Sequence, residues 1–261
     1  MALIEQMESQ GGWLFKHRGV LPLIIFLIGF SMFLRNESDS SFWILEDTKY
    51  EIFYEFTCLI VSLIGLGIRI YTVGFTPDNT SGRNTERQVA DVLNIKGIYS
   101  VVRNPLYLGN FFMWLGIAML TGDFLFTISF VLFYFLYYER IIFTEEQYLR
   151  KKFDKTYLTW TEKTPVIIAK FSLFLKASTK FSWKKVLRQE KNGLAALFLI
   201  FCLFDVSGEL VKEKQDYNEI LLVAGGLSII VYIVLKFLKY NTTLLTENAN
   251  SRKTKSVLSK K

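Results

Sequence analysis

Residues 97–110 read GIYSVVRNPLYLGN and gather chemistry-bearing side chains at the start of an apolar block. Pro105 suits the first turn of a helix, because it lacks an N–H that would go unpaired there. Arg103 and Asn104 then stand at the helix mouth, where open backbone N–H groups and the helix dipole favour a carboxylate or phosphate. Tyr99 and Tyr107 add rings and hydroxyls, and Gly109 leaves room for a flat ligand or a neighbouring helix. Glu145 and Glu146 lie just beyond the next apolar block. Arg69 lies inside an earlier block, about one turn from its end. Ionisable groups in such blocks are costly and are candidates for function. Snorkelling to the interface and binding an anion both remain open for Arg69.

The residues 121–123, Thr-Gly-Asp, are all that joins blocks 106–120 and 124–138. So short a link forces an antiparallel helical hairpin, whose open end brings Arg103 and Asn104 opposite Glu145 and Glu146. Opposed acids and bases around an amphipathic pocket suit a ligand carrying both a cationic centre and a carboxylate. S-adenosylmethionine is such a ligand.

The chain has 261 residues, 51% of them hydrophobic and 16% aromatic, more than one soluble domain of this size needs. A bilayer span wants roughly 20 mainly apolar residues. Six blocks qualify to different degrees: 20–34, 52–73, 106–120, 124–138, 194–204 and 220–238, with 194–204 the weakest. Basic residues gather in alternate connections. Lys16 and Arg18, then Arg83, Arg87, Lys96 and Arg103, then Lys151 to Arg188, then Lys253 to Lys261 fall on one side. Glu37, Asp39, Glu46 and Asp47, then Asp205 to Glu219, fall on the other. Six spans with both termini cytoplasmic satisfy this positive-inside pattern, and dropping one breaks it.

The expected fold is therefore all-α, a polytopic integral membrane protein with about six spans and cytoplasmic amphipathic helices. One domain is expected over 1–240, followed by a basic flexible tail over 241–261. The helix after block 124–138 meets no breaker before Pro165, and Phe153, Tyr157 and Trp160 make an apolar stripe on it. A second helix in the headgroup layer is expected over 166–187. The first block resembles a signal peptide but lacks a small-x-small cleavage site, so it reads as a retained span.

The net charge of +7 sits beside the spans, where anionic lipid headgroups are nearer partners than nucleic acid. Two cysteines inside apolar blocks and a single histidine, His17, exclude a disulfide framework and a zinc or iron site. GLGIRI from Gly65 lies within a block and lacks the strand-turn-helix setting of a dinucleotide fingerprint.

RNPLYLG followed by EEQYLRKKFDKTYLTW resembles the paired signature of the isoprenylcysteine carboxyl methyltransferase and phospholipid methyltransferase superfamily. The usual form is RHPxYxG and then EE with spaced Leu, Phe and Tyr, so Asn104 departs from the histidine. Asparagine donates and accepts hydrogen bonds but cannot titrate. The resemblance implies a fold of membrane helices and a cofactor site for S-adenosylmethionine. It builds that site from Tyr99, Arg103, Asn104, Pro105, Tyr107, Leu108, Gly109, Glu145 and Glu146. Residues 65–94 are also similar to the branch that includes lipid A 1-phosphate methyltransferases. On that likeness Arg69, Ser81, Arg83, Asn84 and Arg87 bind an anionic acceptor, and Arg103, Glu146 and Arg69 serve catalysis.

Methyl transfer from a sulfonium is an in-line displacement that mainly demands alignment in a water-poor site. A phosphate or carboxylate oxygen is already ionised, so the expected reaction is O-methylation of a lipid or lipid-linked acid at the cytoplasmic face of a bacterial inner membrane. An amine acceptor would need Glu145 or Glu146 as a base. The rivals are a phospholipid N-methyltransferase, an NADPH-dependent membrane reductase of the sterol reductase type, and a non-catalytic lipid-binding scaffold.

Overall fold

The computed structural model describes residues 2–38, 48, 50–77, 80, 88 and 90–246. Among these it is all-helical: α1 (Leu3–Lys16), α2 (Val20–Ser38), α3 (Glu51–Phe75), α4 (Pro105–Met119), α5 (Phe124–Thr161), α6 (Trp183–Val211) and α7 (Glu219–Asn241). Short 3-10 turns occur at Ile98–Ser100 and Phe171–Leu173, and one isolated antiparallel bridge pairs Gly97 with Leu175.

Four helices, α3, α5, α6 and α7, are long and apolar enough to cross a membrane. Their outward faces are apolar, as in α7, where Ile220, Val223, Leu227, Ile230 and Phe237 are exposed. That is the pattern of an integral membrane protein. Six spans were expected. The weakest block, 194–204, lies within the 29-residue α6 and is among the four. The block 106–120 becomes the 15-residue α4, which at 1.5 Å per residue covers about 22 Å, short of a ~30 Å hydrocarbon core.

α3 and α4 approach closely through small residues. A Cβ on Gly65 would stand 2.4 Å from the Gly109 carbonyl oxygen, and one on Gly116 would stand 2.2 Å from the Cys58 carbonyl oxygen. Removing those side chains lets the backbones touch, the usual means of packing helices in lipid. Ser62 reinforces the contact by donating to the Met113 carbonyl at 2.9 Å. The expected hairpin forms: Asp123 caps α5 by accepting from the Phe126 N–H at 2.8 Å, and Gly122 takes a φ of 67° in the link.

α5 runs 38 residues, roughly 57 Å by helical rise, so its second half must leave the bilayer. It bends at Asp154 (φ 42°, ψ −119°) and ends at Thr161. The helix expected over 166–187 does not form as such. Residues 162–182 are irregular apart from the turn at Phe171–Leu173, and α6 starts only at Trp183. Their backbone groups serve the loop before α4 instead. Arg103 N–H donates to the Pro165 carbonyl at 2.9 Å, Lys170 N–H to Val101 at 2.9 Å, and Gly97 N–H to Leu175 at 2.8 Å. This strap fixes the approach to α4.

An N-terminal helix, α1, was not expected as a separate element. It lies along α5, where Gly11 sits against the Arg140 carbonyl so closely that a Cβ would stand 2.2 Å away. Tyr137 Oη donates to the Leu14 carbonyl at 3.2 Å, and Thr144 Oγ1 to that of Glu8 at 3.3 Å.

Candidate active site

A cavity of about 500 Å³ opens between the start of α4, the middle of α5, the end of α3, the start of α6 and the α1–α2 junction. That volume lies within the range of small-ligand sites, roughly 300–1,000 Å³. Tyr99, Arg103, Asn104, Pro105, Tyr107, Glu145 and Arg69 all line it.

Arg103 sits on the wall with its Nη1 donating to Glu146 Oε1 at 2.8 Å. Its Nε is buried with no hydrogen-bond partner among the described residues. Glu146 itself does not line the cavity, so its contact with the site runs through Arg103. Asn104, the N-terminal cap position of α4, turns its amide outward from the helix and donates to the Val166 carbonyl at 3.1 Å. Trp160 Nε1 donates to the Tyr99 carbonyl at 3.0 Å. The strap and α5 thus grip both ends of the motif loop.

Glu145 lies about two turns past the apolar half of α5, which ends near Tyr138, and therefore beyond the spanning segment. Burial raises its carboxyl to about 7, opposed by a hydrogen bond from Tyr107 and by the positive charge of Arg18. Burial also raises Glu146, with the Arg103 charge working against it. Aromatic rings flank the acid: Tyr107 and Tyr138 have centroids 4.8 Å apart, and Phe15, Tyr99 and Tyr148 complete the wall. An acid among ring faces can hold a cationic centre, and guanidinium groups can hold a carboxylate.

Arg69 neither snorkels nor stands alone. Its Nε and Nη2 donate to the two oxygens of Glu190 at 2.8 and 2.9 Å, and its Nη1 donates to Asn110 Oδ1 at 2.5 Å. Gly109 and Leu108 do not line the cavity. Gly109 serves the neighbouring helix, since a Cβ there would stand 2.6 Å from Arg69 Cγ and 2.9 Å from the Gly65 carbonyl oxygen. Ser81, Arg83, Asn84 and Arg87 lie outside the described residues.

Sequence reasoning missed Phe15 and Arg18 from the α1 end, Asn110 and Tyr138 from the hairpin, and Gln189 and Glu190 from α6. Asn110 lies one helical turn from Tyr107, and Tyr138 lies about two turns before Glu145 on α5. Glu190 left one signal, an acid alone in the basic run from Lys184 to Lys191.

Residues 58–156 match the phospholipid methyltransferase family. The chain is 39% identical over 82 residues to a protein-S-isoprenylcysteine O-methyltransferase of Schizosaccharomyces pombe, covering 31% of this chain and 34% of that protein. It is 30% identical over 123 residues to the cobalt-zinc-cadmium resistance protein CzcN of Cupriavidus metallidurans, covering 46% of this chain and 54% of that protein. The similarity thus spans about a third to a half of these relatives' lengths. No solved structure matches the chain. The matched stretch supplies most of α3, all of α4 and most of α5, the elements that carry Arg69, Arg103, Tyr107 and Glu145. Over that stretch the chain resembles the phospholipid methyltransferase family and the protein-S-isoprenylcysteine O-methyltransferase.

Proposed function

We propose that this protein is an S-adenosylmethionine-dependent methyltransferase that O-methylates a lipid phosphate or a lipid-linked carboxylate. The family match favours methyl transfer over the reductase reading. One observation carries the cofactor: Arg103 and Glu145 face the same cavity among aromatic rings, a set suited to a ligand with a carboxylate and a cationic centre. S-adenosylmethionine would supply a sulfonium methyl for transfer to the acceptor oxygen, with the C–S electron pair left on sulfur. Arg103, steadied by Glu146, would hold the carboxylate end, while Glu145 and the Tyr107 ring would hold the cationic end. The walls exclude water, and Arg69 orients the acceptor anion. No proton moves, which agrees with Asn104 spending its amide on the Val166 carbonyl where the usual form of the signature has a titratable histidine.

Thr80 and Gln88, which bracket positions 81–87 in the sequence, line the cavity. That supports Ser81, Arg83, Asn84 and Arg87 as acceptor-binding groups of a lipid A 1-phosphate-like acceptor. We further place the cavity at the cytoplasmic face of a bacterial inner membrane, with α2 and α4 as additional spans of a single domain over 1–240. The raised carboxyl of Glu145 favours a second reading, N-methylation of a phospholipid amine with Glu145 as base.

Purified protein with methyl-tritiated S-adenosylmethionine, reconstituted with phosphatidic acid, a prenylated cysteine and phosphatidylethanolamine, separates these readings. Label is expected either in phosphatidic acid, as a base-stable methyl phosphodiester, or in the prenylated cysteine, as a base-labile methyl ester. Base-stable label in phosphatidylethanolamine establishes the amine reading, and label in no lipid removes the enzyme assignment.

A further inference from the structure

The Arg69 side chain, on α3, meets groups from α4 and α6, and α6 lies wholly outside the stretch matched to the family. A guanidinium has five N–H groups. Three are used, two on Glu190 and one on Asn110, leaving two on the terminal nitrogens of a side chain that lines the cavity. The Glu190 side chain is only 4% exposed and that of Arg69 17%, so each fixes the other's position. Gly109 makes room for the Arg69 stem, which further restricts its rotamer.

An arginine facing a nucleophilic anion must meet two opposed demands. It must hold the oxygens in line, yet a full uncompensated charge in a low-dielectric pocket lowers the energy of the anion and slows its attack. A carboxylate engaged side-on with the guanidinium answers both, because it offsets the charge and still leaves directed N–H groups.

We infer that Glu190 is a positioning residue for the acceptor: it orients Arg69 and tempers its charge, so that the two remaining N–H groups bind the anionic head of the lipid, phosphate or carboxylate, without quenching it. This rests on the proposed O-methylation, and it gives α6 a part in choosing the acceptor. A merely structural ion pair between α3 and α6 makes a different forecast, since its loss would loosen the fold and the cofactor site together.

Two acceptor probes distinguish the sources of the anion, dihexanoyl phosphatidic acid and a farnesylated cysteine, each titrated by tryptophan fluorescence into protein in detergent. Glu190→Gln removes the charge while keeping the shape. It should tighten binding of one probe about fivefold, as expected for one partly screened charge, and lower kcat with that probe about tenfold. S-adenosylmethionine affinity should stay within twofold of wild type. Glu190→Asp, which restores the charge, should return probe affinity toward wild type. Asn110→Asp sets a second negative charge against Arg69 and runs the comparison the other way, weakening the probe about fivefold even if Glu190→Gln does not fold. Unchanged probe affinity in Glu190→Gln and Asn110→Asp, or losses of cofactor and probe binding in parallel, overturns the assignment. If the wild type methylates neither probe while the affinity shifts appear as described, the proposed reaction fails and the role of Glu190 stands.

Discussion

Arg69 and Glu51 stand on the same helix, 18 positions apart from 51 to 69 and so about 27 Å along its axis, and each belongs to a group of buried charges. At the Glu51 end, Lys212 of α6 donates to Glu37 of α2 at 2.8 Å and to Glu51 at 3.4 Å. Asn36 donates to the Thr121 carbonyl at 3.0 Å beside it. At the Arg69 end, the pairs Arg69–Glu190 and Arg103–Glu146 have similar distances. What differs is space. Arg69, Arg103 and Glu190 border a cavity of about 500 Å³, whereas Glu37, Glu51 and Lys212 line neither it nor the smaller cavities of about 150 and 10 Å³. Buried ion pairs alone do not mark a site. Those that keep donors turned toward an enclosed volume do, and the others tie helices together.

The comparison breaks most visibly at the closed end. Lys212→Met leaves the Glu37 carboxylate, 4% exposed, without its lysine, and should cost about 3–5 kcal/mol of stability in detergent denaturation. S-adenosylmethionine affinity in the surviving folded fraction should not change, and a large loss of affinity there would show the two ends to be one functional unit. At the open end, Arg103→Ala should weaken S-adenosylmethionine about a hundredfold while the protein still inserts, because a charge-assisted contact to the ligand is lost. Calorimetry reporting ordinary affinity would remove Arg103 from the cofactor site.

The smallest expected effect sharpens the contrast through pH. Glu145 is held largely neutral up to about 7, and a cationic ligand favours its charged form. Affinity for S-adenosylmethionine should therefore rise about fivefold from pH 6 to 8, and Glu145→Gln should flatten the slope. A profile that is level or falling in the wild type excludes Glu145 as the partner of the cationic centre.

Much of the open end was legible from sequence because its signals are local. Pro105 marks a helix start, a three-residue link forces a hairpin, and together they bring Arg103 to Glu146. Glu190 was obscured by distance: 121 positions separate it from Arg69, and no periodicity relates a lone acid in a basic run to an arginine three helices earlier. Residues 166–182 misled for another reason. Their mix of aromatics and lysines fits an amphipathic helix, but the carbonyls and N–H groups of residues 97–103 take up their backbone bonds, and tertiary pairing outweighs helix propensity. Glu37 was assigned to a loop with its acidic neighbours, yet it falls in the last turn of α2 and is buried against Lys212. Charge patterns report sidedness and not depth.

Because α1 seats Gly11 on the α5 backbone and its far end delivers Phe15 and Arg18 to the cavity, the first turns of the chain are building material for the pocket. Anyone producing this protein should therefore attach purification handles at the Lys261 end, since trimming residues 2–18 or crowding them with a fusion partner would dismantle one side of the cavity.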